Sequence, residues 1–197
     1  MYNHLLSLLL LLGFFLTPQQ MAQQLLKKTV IDLPRIEVKG TLEGTPATPL
    51  TIVYDRQKDE ATLTAGTTAT VFAAEKMPPW LRLFFWKNTD LKGTEQADLF
   101  VAYLGKLGID TEKKLLATTG PEGELLYLFG RDAATSDAPH LALYRTNMLP
   151  FRLSAGGVEA IFSDYHKSVL PLAFPGRIEL RENGTVITYS FVRDEYR

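Results

Sequence analysis

The chain has 197 residues, of which 46 % are hydrophobic and 22 % are charged, and its formal net charge is −1. This composition is typical of a globular protein with one sizeable core. The near-zero charge excludes a strong field that would attract nucleic acid, and a chain without cysteine has neither disulfides nor thiol chemistry.

An uncharged apolar run, LLSLLLLLGFFL, occupies residues 5–16. A bilayer-spanning helix needs about 20 apolar residues, so this shorter run is typical of a secretory signal. We predict a signal peptide at residues 1–22, cut after Ala22, and a mature chain of residues 23–197 that is exported to the periplasm. An uncleaved signal would instead anchor the protein in the membrane. Residues 23–34 are interpreted as either a short helix or a frayed lead-in.

Four strands are predicted after this N-terminal region. Residues 36–42 alternate apolar and polar side chains, which is the pattern of a strand with one solvated face. Residues 50–54, 61–65 and 68–73 are further short strands, and short polar links join them. The sequence therefore predicts an antiparallel meander.

The periodicity changes in the centre of the chain. Pro78 and Pro79 can start a helix but cannot lie inside one, and large apolar residues follow them as far as Trp86. Residues 94–107 then place apolar side chains at helical spacing, and Gly108 is suited to end that helix. We predict a central helical segment here.

Seven strands are predicted in the second half, at residues 113–119, 124–129, 140–145, 149–154, 158–163, 177–182 and 185–192. Asn183-Gly184 is a strong hairpin signal, and Gly156-Gly157 marks another turn. Because strands and helices do not alternate, a parallel α/β fold is excluded. The predicted fold class is mainly β (α+β): a single domain whose strongly curved antiparallel sheet forms an incomplete barrel, covered by the central helical segment.

The sequence carries no motif for catalysis or metal binding. His140 and His166 have no metal-type partners at close spacing, and neither G-x-S-x-G nor a phosphate-binding glycine loop occurs. The sequence predicts a protein that is not an enzyme and has no catalytic residue, no metal and no cofactor. A hydrolase assembled from distant residues is the least favoured alternative.

Residues 80–86 allow two interpretations. They are a core helix or buried strand, or they are a lid or wall of a ligand cavity. The second is favoured by apolar side chains that are not confined to one stripe, because such an element must be buried on several sides or face both the sheet and a bound molecule. The candidate cavity and lid residues are Trp80, Leu81, Leu83, Phe84, Phe85, Leu99 and Tyr103.

Residues 139–153, PHLALYRTNMLPFRL, resemble a hairpin of the LolA/LolB-like superfamily of periplasmic lipoprotein carriers, in which a short turn precedes an LP-x-R strand. Residues 162–165, residues 175–180 and the Asn183-Gly184 turn are similar to the C-terminal sheet of that family. The resemblance covers about residues 36 to 192.

This resemblance implies an eleven-stranded half-barrel with helices over its mouth and an apolar cavity for acyl chains. The implied function is that of a periplasmic carrier or binding protein for a lipid or lipidated protein, with a membrane-bound donor or acceptor protein as a partner. It also implies an arginine that helps to hold the lid shut, for which Arg35, Arg56 and Arg82 are candidates. The alternative is a structural or protein-interaction module of the cell envelope, with a solid interior and no small-molecule ligand.

Overall fold

The structure is a computed structural model that describes residues 16–29, 33–86, 93–113, 115–131, 137–165 and 173–192. The eleven strands found in these ranges are β1 (Arg35–Leu42), β2 (Thr48–Asp55), β3 (Glu60–Ala65), β4 (Thr68–Ala73), β5 (Leu116–Thr119), β6 (Leu125–Phe129), β7 (His140–Tyr144), β8 (Pro150–Ala155), β9 (Val158–Ser163), β10 (Arg177–Glu182) and β11 (Thr185–Phe191).

These strands form one antiparallel sheet in the order β4-β3-β2-β1-β11-β10-β9-β8-β7-β6-β5. Strands that follow one another in sequence pair with one another, except β4 and β5, and the pairing of β1 with β11 joins the two halves of the chain. In the described part of the chain the edge strands β4 and β5 are not paired with each other. The predicted fold class, a mainly β protein with an unclosed antiparallel sheet, is confirmed.

Three α-helices accompany the sheet within the described ranges, α1 (Pro18–Thr29), α2 (Pro79–Arg82) and α3 (Gly93–Lys106), and a 3-10 turn spans Ala74–Lys76. α1 packs against α3. Side chains of all three helices share one core cluster with the sheet. None of the helices that the structure describes is long and apolar enough to cross a membrane.

The predicted end of the signal peptide falls inside α1. Residues 23–29 are helical, which agrees with the first of the two interpretations of residues 23–34. The helix nevertheless begins five residues before Gln23, at Pro18, and Ala22 is fully buried in the core.

Most predicted elements occur within two residues of their expected bounds. The predicted helix at residues 94–107 is α3, which Gly108 follows in the left-handed conformation (φ 79°). The N–H of Ile109 then donates to the carbonyl of Leu104 over 3.1 Å, as in a glycine-terminated helix. The strand predicted at residues 113–119 is shorter, since β5 begins only at Leu116.

Gly40 lies where the two halves of the sheet meet. It is paired with Phe191 across the β1–β11 seam. A Cβ atom at this position would overlap the carbonyl oxygen of Ser190. Only glycine therefore lets the two strands approach as closely as they do.

A second, smaller apolar cluster lies apart from the main core. It contains Leu126, Leu128, Ala142 and Phe151. The pairing of β7 with β8 shifts register between Ala142 and Leu143, the signature of a β-bulge, which re-aims side chains relative to the sheet. This irregularity allows Phe151 to join the second cluster while Leu153, two residues later, belongs to the main one.

Candidate ligand-binding groove

A groove of about 540 Å³ lies between residues 78–80 and the strands β8 to β11. Its lining residues are Pro78, Pro79, Trp80, Leu153, Ala155, Val158, Ala160, Leu180, Glu182, Asn183, Thr185 and Ile187. Small-molecule sites typically measure about 300–1,000 Å³ and are lined mainly by apolar side chains. In size and chemistry the groove is therefore suited to an apolar ligand.

The floor of the groove consists of two rows of directly paired residues across four strands. The apolar row contains Leu153, Ala160, Leu180 and Ile187, each opposite the next on the neighbouring strand. The mouth row contains Ala155, Val158, Glu182 and Thr185, paired in the same way. Residues two apart on a strand point to the same face, so both rows face the groove. The small side chains of Ala155 and Ala160 leave the space that the groove occupies.

The polar residues of the groove are concentrated at the β10–β11 turn. Glu182, Asn183 and Thr185 are all exposed to solvent, whereas Leu153 and Ala160 at the other side of the floor are buried. The groove therefore has a polar mouth at this turn and an apolar interior.

Trp80 forms the wall of the groove that faces the sheet. It is almost fully buried and stacks on Tyr189, with 5.5 Å between the ring centroids. Tyr189 follows Ile187 by two residues on β11, so this aromatic pair closes the apolar row. Burial raises the pKa of Tyr189, which keeps its hydroxyl neutral. Pro79 starts α2 and thereby fixes Trp80 at the first turn of that helix.

Four of the predicted cavity residues, Leu81, Leu83, Phe84 and Phe85, lie in the main core and do not line the groove. Phe84 packs on Phe162 at 5.3 Å, and Phe85 stacks on Tyr54 at 5.1 Å. The physical reason is that α2 is only four residues long, so the chain turns after Arg82 and successive side chains all point inward. The interpretation as a core element describes these four residues, and only Trp80 lies against the groove.

The two predicted residues of α3 also lie away from the groove. Leu99 is 49 % exposed and points about 100° around the helix from the buried Phe100. Tyr103 is half-buried and packs on Trp86 at 5.5 Å, and burial raises its pKa to about 12. Helical spacing identified an apolar stripe but could not distinguish its centre from its margin.

Sequence reasoning missed the residues of the two floor rows, although a usable signal was present. Each hairpin turn has two residues, Gly156-Gly157 or Asn183-Gly184, and a two-residue turn fixes the pairing of the strands beside it. Ala155 is thereby placed opposite Val158, and Glu182 opposite Thr185. No local sequence pattern, however, indicates that residues 78–80 leave these rows uncovered.

A buried ion pair fixes residues 80–86 to the sheet. Arg82 is 8 % exposed, and its two terminal nitrogens donate to the two carboxylate oxygens of Asp59 over 2.5 and 3.0 Å. Nη1 also donates to the carbonyl of Phe85 over 3.1 Å, and the guanidinium lies 4.6 Å from the Trp86 ring centroid. Such bidentate pairs combine electrostatic attraction with directional hydrogen bonds.

The acceptor of this pair is held in place by the turn between β2 and β3. Asp59 adopts a left-handed conformation (φ 51°), and Tyr54 donates its hydroxyl hydrogen bond to Asp59 Oδ1 over 2.7 Å. Burial, and then this hydrogen bond, raise the pKa of Tyr54, so that its hydroxyl stays a donor. Of the three arginines considered as a lid clasp, Arg82 makes this buried attachment, whereas Arg35 is exposed at the start of β1.

In the part of the chain that the structure describes, no group of three or more His, Cys, Asp or Glu residues is placed to hold a metal ion. His140 lies 2 % exposed, with Nδ1 3.0 Å from the carbonyl oxygen of Ala138. Burial lowers the pKa of His140 to about 4. The imidazole is therefore neutral at physiological pH and donates through Nδ1. His166 lies outside the described residues.

No family model matches the sequence, and no curated protein matches it either. Among solved structures, the fold is similar to the crystal structure of a LolA superfamily protein from Nitrosomonas europaea. The likeness has a TM-score of 0.43 and 13 % sequence identity, and it covers 89 % of this chain and 91 % of that chain. The class of this protein is that of an open antiparallel sheet with an apolar groove beside it.

Proposed function

We propose that the protein binds an apolar chain, such as an acyl chain of a lipid or of a lipidated protein, in the groove beside Trp80. The observation that supports this proposal is the apolar row along the floor of the groove, in which Leu153 and Ala160 are buried while Leu180 and Ile187 stay partly open to solvent. A concave apolar surface of this kind is the usual form of a ligand site.

The driving force for such binding is the removal of methylene groups from water. Each buried CH₂ contributes about 0.8 kcal/mol, so a chain of about ten methylenes gains about 8 kcal/mol before the costs of association. Affinity therefore rises with chain length, by about fourfold per methylene, until the groove is filled. The mechanism needs no catalytic group.

The mouth of the groove also selects among polar end groups. Among the described lining residues Glu182 carries the only charge. Its neighbour Arg181 is occupied elsewhere, since its Nε donates to Glu179 over 2.7 Å and its Nη1 to Glu159 over 3.3 Å. A ligand whose end group is neutral or cationic therefore suits this mouth better than one that ends in a carboxylate.

Two neighbouring residues of β11 provide the test. Ile187 lines the groove, whereas Val186, which is 57 % exposed, points to the opposite face. The wild-type protein should bind the neutral fluorophore N-phenyl-1-naphthylamine saturably, and dodecanol should displace it. Ile187→Asp should weaken binding at least about tenfold, because it places a charge on the apolar floor.

Val186→Asp is the matched control and should leave the affinity unchanged. The proposal fails if the wild type shows no saturable binding, or if both variants bind as the wild type does. Replacing dodecanol by lauric acid tests the end-group preference separately. Stronger displacement by lauric acid would reject that preference while leaving the groove as the binding site.

The proposed setting of this function is the periplasm, where the protein would carry or hold its ligand between a membrane-bound donor and an acceptor. The support for this is the apolar run at residues 5–16, which is typical of an export signal. Cell fractionation of the expressed full chain tests it. Recovery in the cytoplasmic fraction alone would contradict it.

One observation favours the alternative of a structural or protein-interaction module. Leu81, Leu83, Phe84 and Phe85 fill the interior beneath α2 with the protein's own side chains. On this alternative a partner protein binds the molecule without using the groove. Recovery of one stoichiometric envelope protein with both the wild type and Ile187→Asp, together with no bound lipid in native mass spectrometry, would favour it.

A further inference from the structure

The helix α1 begins with its own N-terminal signals. The Thr17 hydroxyl oxygen accepts from the N–H of Gln20 over 3.2 Å, and Gln20 Oε1 accepts from the N–H of Thr17 over 2.9 Å. This reciprocal arrangement is a capping box, and Pro18 occupies the first helical position, where proline is favoured. The sequence Thr17-Pro18-Gln19-Gln20 therefore encodes the start of a helix.

The same helix is built into the core. Met21, Ala22 and Leu25 are fully buried in the main cluster, which includes Phe100 and Leu104 of α3. At its other end the carbonyl of Lys28 accepts from the N–H of Ala173 over 3.1 Å. α1 is thus attached to the rest of the fold along its length.

A cut after Ala22 would remove the N-terminal half of α1 and its contacts with the core. It would delete the capping box, the first-turn proline and the buried Met21 and Ala22, and it would leave only residues 23–29 of the helix. The new amino group of Gln23 would place a positive charge at the helix N-terminus, where the helix dipole disfavours it. The lost Met21 side chain would leave a hole in the core.

We infer that residues 17–29 belong to the folded, exported protein and not to the removed leader, so that any cleavage of the signal falls before Thr17. It rests on the packing of α1 and on the export proposed above, and it is independent of what the groove binds.

The direct test is the N-terminus of the full chain expressed in a Gram-negative host and recovered from the periplasmic and membrane fractions. Intact mass and N-terminal sequencing should place it at Thr17 or at an earlier residue. A start at Gln23, or anywhere else within residues 18–29, would overturn the inference.

A second test compares two variants of the full chain, Met21→Ala and Gln19→Ala, after recovery from the same fractions. Met21 is fully buried and Gln19 is exposed. Met21→Ala should lower the thermal midpoint by at least about 5 °C, while Gln19→Ala should leave it nearly unchanged. Identical midpoints for both variants and the wild type would show that this part of α1 is absent from the exported protein.

Discussion

At the residue scale, Arg82 is a buried charged side chain that needs a partner of opposite charge. Its ion pair with Asp59 is largely removed from water, the two side chains being 10 % and 14 % exposed. Removing one partner of a buried pair leaves an uncompensated charge, which typically costs about 3–5 kcal/mol. The attachment of residues 80–86, including Trp80 of the groove wall, therefore depends on Asp59.

Asp59→Asn should lower the free energy of unfolding by about 3 kcal/mol, measured by urea denaturation. Asparagine tolerates the left-handed backbone of this position, so the effect reports the charge and not the turn. The control is Lys58→Gln, which removes the exposed pair of Lys58 with Asp55, 3.7 Å apart. That change should cost less than about 0.5 kcal/mol, and equal losses for the two variants would contradict a buried attachment.

His140 makes the stability of the protein depend on pH. Its pKa is lowered to about 4, by burial first and by the nearby Arg131 and Arg152 in addition, whereas an unfolded histidine has a pKa of about 6.5. The unfolded chain therefore binds more protons between these two values. The stabilisation is fully present above pH 6.5 and is lost as the pH falls toward 4.

The variant His140→Asn isolates this effect, because its side-chain amide can still donate to the carbonyl of Ala138. Between pH 7 and pH 5 the wild type should lose about 2 kcal/mol more of its unfolding free energy than this variant does. Parallel pH profiles for the two proteins would show that His140 is not held neutral by the fold.

At the scale of the elements, the seam between β1 and β11 is the connection between the two halves of the sheet. Gly40→Ala should destabilise the protein by more than about 2 kcal/mol, since its Cβ would overlap Ser190. Gly105→Ala is the control, because it lies inside α3 with no atom near the new Cβ. That change should stabilise the protein by about 0.5–1 kcal/mol. Thermal denaturation measures both, and a neutral Gly40→Ala would contradict the close approach.

The positions of most elements could be predicted because turns and strand patterns are local. Asn183-Gly184 fixes its hairpin, and Gly108 ends α3 one turn after Leu104. The four-residue α2 could not be predicted in the same way, because two prolines and a row of large apolar residues fit a longer helix equally well. Of the predicted cavity residues, Trp80 lies against the groove, whereas Leu81 and its neighbours lie in the main core.

At the scale of the whole molecule, the helices share one core with the sheet but leave a groove beside β8 to β11. α1 and α3 contribute buried side chains to that core, and residues 78–80 lie beside β8 to β11 without closing the groove. Whether an uncovered surface remains depends on contacts between distant parts of the chain. Sequence periodicity does not report such contacts, so the groove could not be predicted from the sequence.

The proposed function requires an apolar chain to bind beside Trp80, and tryptophan fluorescence tests this directly. The chain contains two tryptophans, Trp80 and Trp86, so Trp86→Phe leaves Trp80 as the sole reporter. A terminally brominated dodecanol, titrated below its solubility limit, should quench Trp80 saturably, and unlabelled dodecanol should reverse the quenching. Absence of saturable quenching, or equal quenching of Trp86 in a Trp80→Phe variant, would contradict binding in the groove.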